Sequence, residues 1–270
     1  AEALVQYAGP DEAKALLAAL VAQGAASRRC VLYAARANRS DPETVLAYLR
    51  TCERDTGEAP DAALCGAVLE ALSREAGRSG TALDLLDDMA DRDVFVDDRG
   101  LAAAVRACGR DGRWREALDL YDGRALDIAP KAAHAAVDVC ARFGRTADAT
   151  RICLEAPPTD LAIHREAAKA SFATRDYDGL VAIHAHWAGR KAAKPGKRDK
   201  ALVLDVHGLT VPLALGATLG AVRTHAAAAD DDPVPSLVLL TGSRQGPSEK
   251  ASYLKRDLAR ALTRDLGFWL

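Results

Sequence analysis

The stretch LVLDVHGLT, residues 202–210, sets an acid and a histidine two positions apart at the end of a run with four β-favouring apolar positions, Leu202, Val203, Leu204 and Val206. Side chains two apart on a strand project to one face, so Asp205 and His207 can act together. Such a pair can polarise a water or a ribose 2′-hydroxyl, or hold a metal. A second segment, TGSRQG (241–246), follows another apolar run and leads into a helix. Its Gly242 and Gly246 let backbone amides approach an anion where that helix begins. An acid, a histidine and an amide-rich turn along one sheet edge would make a phosphodiester site. A local reading competes with it: a carboxylate accepting turn amides and a histidine satisfied by nearby carbonyls.

The elements that must position these residues follow from period and punctuation. LVLDV (202–206) reads as a strand, Thr210 as the cap of a helix running to about residue 229, and Pro212 is tolerated in its first turn. After the loop DDDPVP (230–235), the run SLVLLTG (236–242) reads as a strand buried on both faces. The last helix, SEKASYLKRDLARALTRDLG, carries a buried stripe of Leu254, Leu258, Leu262 and Leu266, with Arg256, Arg260 and Arg264 on roughly the opposite side. A strand–helix–strand unit closes with parallel strands. Both strand ends, Asp205–Thr210 and Thr241–Gly246, then lie on the edge where open α/β sheets bind ligands.

Ahead of this α/β segment the chain repeats. GRWREALDLYD (112–122) has echoes whose aligned small or apolar residues are Ala13, Val45, Ala82, Ala117, Ala149 and Leu180, at spacings of 32, 37, 35, 32 and 31. A period near 34 accommodates two short helices and two turns. Helices this short cannot bury a core alone, so successive hairpins must stack. The fold class is therefore mostly α: an α-solenoid over residues 1–189, about five to six helical hairpins, followed by a small βαβα segment over 201–270. Between them RKAAKPGKRDK (190–200) sets six basic residues, Lys197 and Arg198 among them, against one acid and around a Pro-Gly break. It reads as a linker, with nucleic-acid contact as the other use of the charge.

A formal net charge of −2 means that any nucleic-acid contact must come from a local patch. No apolar run is long enough for a membrane span. The six cysteines form no C-x-x-C pair, so they read as buried residues of a reducing compartment. His184 and His186 stand at i, i+2 in one helix, the wrong spacing for a shared metal, while His164 and His225 read as isolated surface residues. The only methionine is Met89, so the chain reads as a processed form or a piece, with any targeting peptide upstream.

Two resemblances add to these readings. The pattern C-x-R-x-G-R-x-x-E-A-L-x-L-Y from Cys108 to Tyr121 resembles the pentatricopeptide repeat, well over 98–129, fairly over 61–97 and 130–159, and weakly at both ends. That resemblance implies first helices that bind single-stranded RNA, one base per repeat, mainly through the fifth residue of each first helix. Here those positions read as Cys30, Cys65, Ala102, His134 and Arg165 rather than the family's Asn, Ser or Thr. Arg99 and Lys131, near the starts of two repeats, read either as phosphate contacts in their place or as solvated charges on an ordinary solenoid. The residues LDVHGLT (204–210) match the LDxHG signature of the Smr (small MutS-related) domain. Of that family's TGxG motif, Thr241 and Gly242 remain, with Arg244 in place of the second glycine.

A repeat array followed by an Smr domain resembles the PPR-SMR proteins of plant and algal organelles. The resemblance implies RNA processing or organellar gene expression, in a chloroplast before a mitochondrion. Asp205 and His207 would be the catalytic pair. Gly208, Thr241, Gly242, Ser243, Arg244 and Gly246 would hold the phosphate, and the three arginines of the last helix would track the backbone. Some Smr domains cut nucleic acid and others only bind, and a divalent cation such as magnesium is the one cofactor the reading leaves room for. The competing expectation is a non-catalytic scaffold binding protein subunits of an organellar ribosome, transcription or RNA-processing complex through the solenoid.

Overall fold

The structure is a computed structural model that describes residues 2–124, 130–188, 196–198, 201–206, 209–228, 237–241 and 249–265. Twelve helices alternate in pairs through the first two thirds of the chain: Glu2–Tyr7 (α1) with Pro10–Ala22 (α2), Arg28–Ala37 (α3) with Pro42–Thr56 (α4), and Ala62–Leu72 (α5) with Ser79–Asp91 (α6). Asp98–Arg110 (α7) with Trp114–Arg124 (α8), Pro130–Arg142 (α9) with Thr146–Glu155 (α10), and Leu161–Ala173 (α11) with Tyr177–Ala188 (α12) complete the series. The six residues that set the repeat phase, Ala13, Val45, Ala82, Ala117, Ala149 and Leu180, are each the fourth residue of a second helix, and each is 0% exposed. All six cysteines are free and buried, as expected.

The turn inside each pair explains the matching Cys and Gly positions. Gly112 and Gly144 adopt positive φ, +79° and +66°, and the next amide reaches back five residues: Arg113 N to Cys108 O at 2.9 Å and Arg145 N to Cys140 O at 2.8 Å. This is the Schellman closure of a helix C-terminus, which favours a residue without a Cβ at the left-handed position.

Two compact units divide the chain, residues 1–139 and 140–270. In the first, successive first helices pack on one another, α1 on α3, α3 on α5 and α5 on α7, and each also packs on the second helix before it. Within this unit no comparable packing joins successive second helices among the described residues.

Polar bonds between repeats complete what each hairpin lacks. The start of α6 has no capping side chain of its own. Asp111, in the turn of the next hairpin, accepts the Gly77 and Ser79 amides at 2.6 and 2.8 Å. Arg113 donates to Ser79 Oγ at 3.2 Å, and Arg110 to the Ser73 carbonyl at 3.0 Å. Asp98 likewise accepts the Lys131 and Ala132 amides at 3.1 and 2.9 Å at the start of α9. Burial alone would raise the Asp111 carboxyl, but the hydrogen bonds from Ser79 and the Gly77 amide, with Arg113 nearby, hold it below its ordinary value.

In the second unit, Gly196–Arg198 (β1), Ala201–Asp205 (β2) and Leu237–Leu240 (β3) form a sheet of order β1-β2-β3, with β2 and β3 parallel and joined through Val211–Ala228 (α13). Glu249–Arg260 (α14) follows β3 and continues into a wider π-helical turn, Ala261–Asp265. The parallel pairing agrees with the strand–helix–strand expectation. Three details do not. Part of the basic run pairs antiparallel with β2 as β1, which a linker reading did not foresee. Val238 and Leu240 are 42% and 48% exposed, so β3 is sheltered on alternate residues only, as in a sheet covered on one face. The Thr210 hydroxyl is buried without a hydrogen-bond partner among the described residues, so only its carbonyl, accepting from Ala214 N, starts α13.

The helix α13 packs on α11 and α12, the same two neighbours that a next repeat's first helix would take. Gly216 makes this approach feasible: a Cβ there would run into the Leu180 carbonyl of α12 and the His184 side chain. Arg223 on α13 pairs with Asp178 on α12 at 2.6 Å. The α/β segment is thus seated on the last hairpin within its own unit.

Two outcomes test these contacts. Asp111→Ala removes a carboxylate that caps another hairpin's helix and lowers unfolding free energy by about 1–2 kcal/mol, read from the urea midpoint. Gly216→Val forces α12 and α13 apart and costs about 1–3 kcal/mol in the same measurement.

Candidate nucleic-acid interface

The residue types of the two helix layers are segregated by charge. First helices α3, α5, α7 and α9 carry eight basic residues against three acidic ones. Second helices α2, α4, α6 and α8 carry five basic against twelve acidic. A formal net charge of −2 conceals this division.

On the first-helix side the helix starts set the register. The second residues of α3, α5, α7, α9 and α11 are Arg29, Ala63, Arg99, Lys131 and Ala162; the ninth are Arg36, Glu70, Arg106, Asp138 and Lys169. Arg29, Arg99 and Lys131 are exposed. The ninth residues alternate in sign. Arg106 is half-buried, and burial pushes its guanidinium down, with Glu70 among the neighbours that oppose the shift. A cleft of about 110 Å³ lies between α3, α5 and α7. Its floor is Ala62, Ala63, Gly66 and Ala67, and its walls are Arg36 and Arg99 with Glu70 and Asp97. Small residues on α5 leave the space, while guanidinium groups supply forked donors and carboxylates supply acceptors. Such a wall can grip a phosphate and hydrogen-bond a polar heterocycle.

Several expected positions move. Cys30, Cys65 and Ala102 are 0%, 4% and 0% exposed, so none of them can touch a ligand. The observed starts of α3 and α5 shift the fifth residues to Leu32 and Gly66, while Ala102, His134 and Arg165 keep that position. His134 is half-buried and Arg165 exposed. Only Gly66 of the five lines the cleft. The face that sequence reasoning missed is the ninth position, which a count from the true helix starts would have found.

In the α/β segment Asp205 is exposed at the end of β2, opposite Leu240 of β3. With Leu240 and Val238 it marks the open face of the sheet, while Leu204 on the other face is 2% exposed. Thr241, half-buried, directly follows β3. His207, Gly208, Gly242, Ser243, Arg244 and Gly246 lie outside the described residues, as do the side chains of Lys197 and Arg198. On α14, Leu254, Leu258 and Leu262 are buried, as expected, with Leu266 outside the described residues, and Arg256, Arg260 and Arg264 are exposed. Arg256 lies over the Tyr253 ring at 5.0 Å and pairs with Asp257 at 3.1 Å. Among the described residues, no cluster of three or more His, Cys, Asp or Glu could hold a metal, and no helix is long and apolar enough to cross a membrane.

The histidines of the last hairpin differ from expectation. His164 is 0% exposed rather than on the surface. Its Nδ1 lies 2.6 Å from the Asp160 carbonyl and its Nε2 2.9 Å from His186 Nδ1, with the two rings stacked. Spacing within α12 could not reveal a partner on α11.

Stacked helical pairs with one basic layer define the class: an α-helical repeat protein with a small α/β segment at its end. No family profile matches the chain, and no curated protein matches it in sequence. Among solved structures, it resembles the pentatricopeptide repeat protein PPR10 in complex with an 18-nt psaJ RNA element, with TM-score 0.52 and 16% identity. The match covers 100% of this chain and 46% of that one. A variant of PPR10 with three cysteines changed to serine, in complex with the same element, matches with the same values. At this identity the likeness establishes the helical-repeat fold alone.

Burial lowers the His164 pKa from its ordinary 6.5, and His186 lowers it further against the Asp160 carbonyl. The native state then binds fewer protons than the unfolded chain below that value. Stability is therefore full above about pH 6.5 and falls as pH drops toward the lowered native value. Thermal melts between pH 7.5 and 5 will show this loss, and His164→Gln will flatten it.

Proposed function

We propose that the first-helix layer binds single-stranded RNA and that the chain acts in RNA processing or organellar gene expression, in a chloroplast before a mitochondrion. The observation that carries this reading is the charge division: eight basic residues against three acidic on the first helices of a molecule with net charge −2. The fold supports it as well, since PPR10 was crystallised with RNA. Arg29, Arg36, Arg99 and Lys131 would neutralise phosphates, and the cleft over Gly66 would take a base. The weak reader positions make this a largely electrostatic grip with little sequence reading.

The α/β segment extends the proposal. Asp205 and His207 would act on a phosphodiester, with the 241–246 turn holding the phosphate and Arg256, Arg260 and Arg264 tracking the strand, as the Smr resemblance implies. Asp205 on the open sheet face suits that role. The aspartate would orient the histidine, and the histidine would take the proton from a water or from the 2′-hydroxyl. A bound divalent cation would be held through Asp205 and would supply charge neutralisation at the phosphate.

The test combines binding and cleavage of organellar RNA at two salt concentrations. Wild type is expected to lose affinity steeply with salt, and Arg99→Ala/Lys131→Ala to reduce the log–log slope by about 1.4. Asp205→Ala/His207→Ala is expected to abolish cleavage while leaving binding intact. Salt-insensitive or absent binding sinks the RNA reading. Binding without cleavage by wild type removes only the catalytic extension.

A further inference from the structure

We propose that the groove between α6 and α8 docks a basic segment of a partner protein, anchored by apolar side chains. The inference does not depend on RNA binding, because it concerns the other helix layer. Within residues 1–139 successive second helices do not pack on one another among the described residues, so the surface opens between α6 and α8. Between α6 and α8 it forms a groove of about 320 Å³, with Leu83 and Leu120 on its floor, Glu116 and Asp119 on its rim, and Gly123 at one end. A Cβ at Gly123 would meet nothing within 4 Å.

The charge around this apolar floor is one-sided. Helix α6 holds four aspartates and no basic residue. Two carboxylates are neutralised locally: Glu116 on the rim by Arg113 at 2.6 Å, and Asp88 of α6, which does not line the groove, by Arg92 at 3.0 Å. Asp84, Asp87 and Asp91 are exposed at i, i+3 and i+7 on α6, and Asp119 is exposed across the groove. None of the four has an ion pair among the described residues. Like charges at helical spacing destabilise a helix, and here no pairing within the fold relieves them.

A cationic partner would relieve that repulsion, and the leucine floor would take its apolar side chains. The complementary shape is an amphipathic helix presenting apolar residues at i, i+3 and i+4 between lysines or arginines. A polyanion is excluded by the same carboxylates. The chain's own basic run at 190–200 offers charge, but its uncharged residues are only alanine, proline and glycine, which leaves the floor unfilled.

Fluorescence anisotropy with the full chain tests this, using a labelled amphipathic peptide of lysine and leucine with leucines at that spacing. A control of equal charge replaces every leucine by serine. The leucine peptide is expected to bind saturably, the control about tenfold more weakly, and Asp87→Lys/Asp119→Lys about tenfold more weakly than wild type with its helical circular dichroism unchanged. Asp84→Lys serves as a second charge reversal should the double variant misfold. Equal binding of the serine control, or undiminished binding by both variants, overturns the proposal. Wild-type dimerisation lost in Asp87→Lys/Asp119→Lys, seen by sedimentation, would assign the groove to a second copy and overturn it too.

Discussion

No hairpin of this chain is complete by itself, and the backbone amides at the helix starts show it most directly. A helix opens with four N–H groups that lack an intrahelical acceptor. At α6 and α9 the acceptors are Asp111 and Asp98, each from a different hairpin. The same dependence holds for the core: Ala82, Leu86 and Met89 of α6 are buried in a cluster that runs from Val5 to Ala107. Leu86 and Met89 each contribute about 1.5–3 kcal/mol only while their neighbours stay in place. Stacking is therefore the condition for every local feature, the layer of basic residues included.

Stacking also sorts the surface. Because first helices touch first helices, their exposed positions line up as rows across the repeats. Arg29, Arg99 and Lys131 become one row and the ninth residues Arg36, Glu70, Arg106 and Asp138, alternating in sign, another. Second helices that stand apart give separate ridges with grooves between them. The two layers differ in surface charge, although no single helix is extreme in composition except the aspartate-rich α6.

Much of this was legible in the sequence, for a definite reason. A residue that must be buried in every repeat leaves a periodic mark, and all six phase-setting residues fall at the same helical position with no exposure. Gly112 and Gly144 were legible because a left-handed turn restricts what can stand there. The outward-facing register was not, because one residue of error at a helix start rotates a side chain by about 100°; Cys30 and Cys65 are the third and fourth residues of their helices and turn inward. His164 was misplaced because its partner lies on another helix. The basic layer was hidden because net charge averages over both faces, and the open side of β3 because a short apolar run does not reveal how many faces are covered.

The separation of charge has a consequence for timing as well as for choice of partner. At physiological ionic strength the Debye length is about 8 Å, close to the 8–10 Å between packed helix axes. Solvent-exposed charges on the two layers are thus attenuated in each other's field by a factor of about e, not cut off from it. At long range and low salt the layers instead act together as a dipole across the thickness of the array. An approaching polyanion then feels a torque that turns the basic layer toward it before contact, a contribution to association rate that the total charge of the molecule would never suggest.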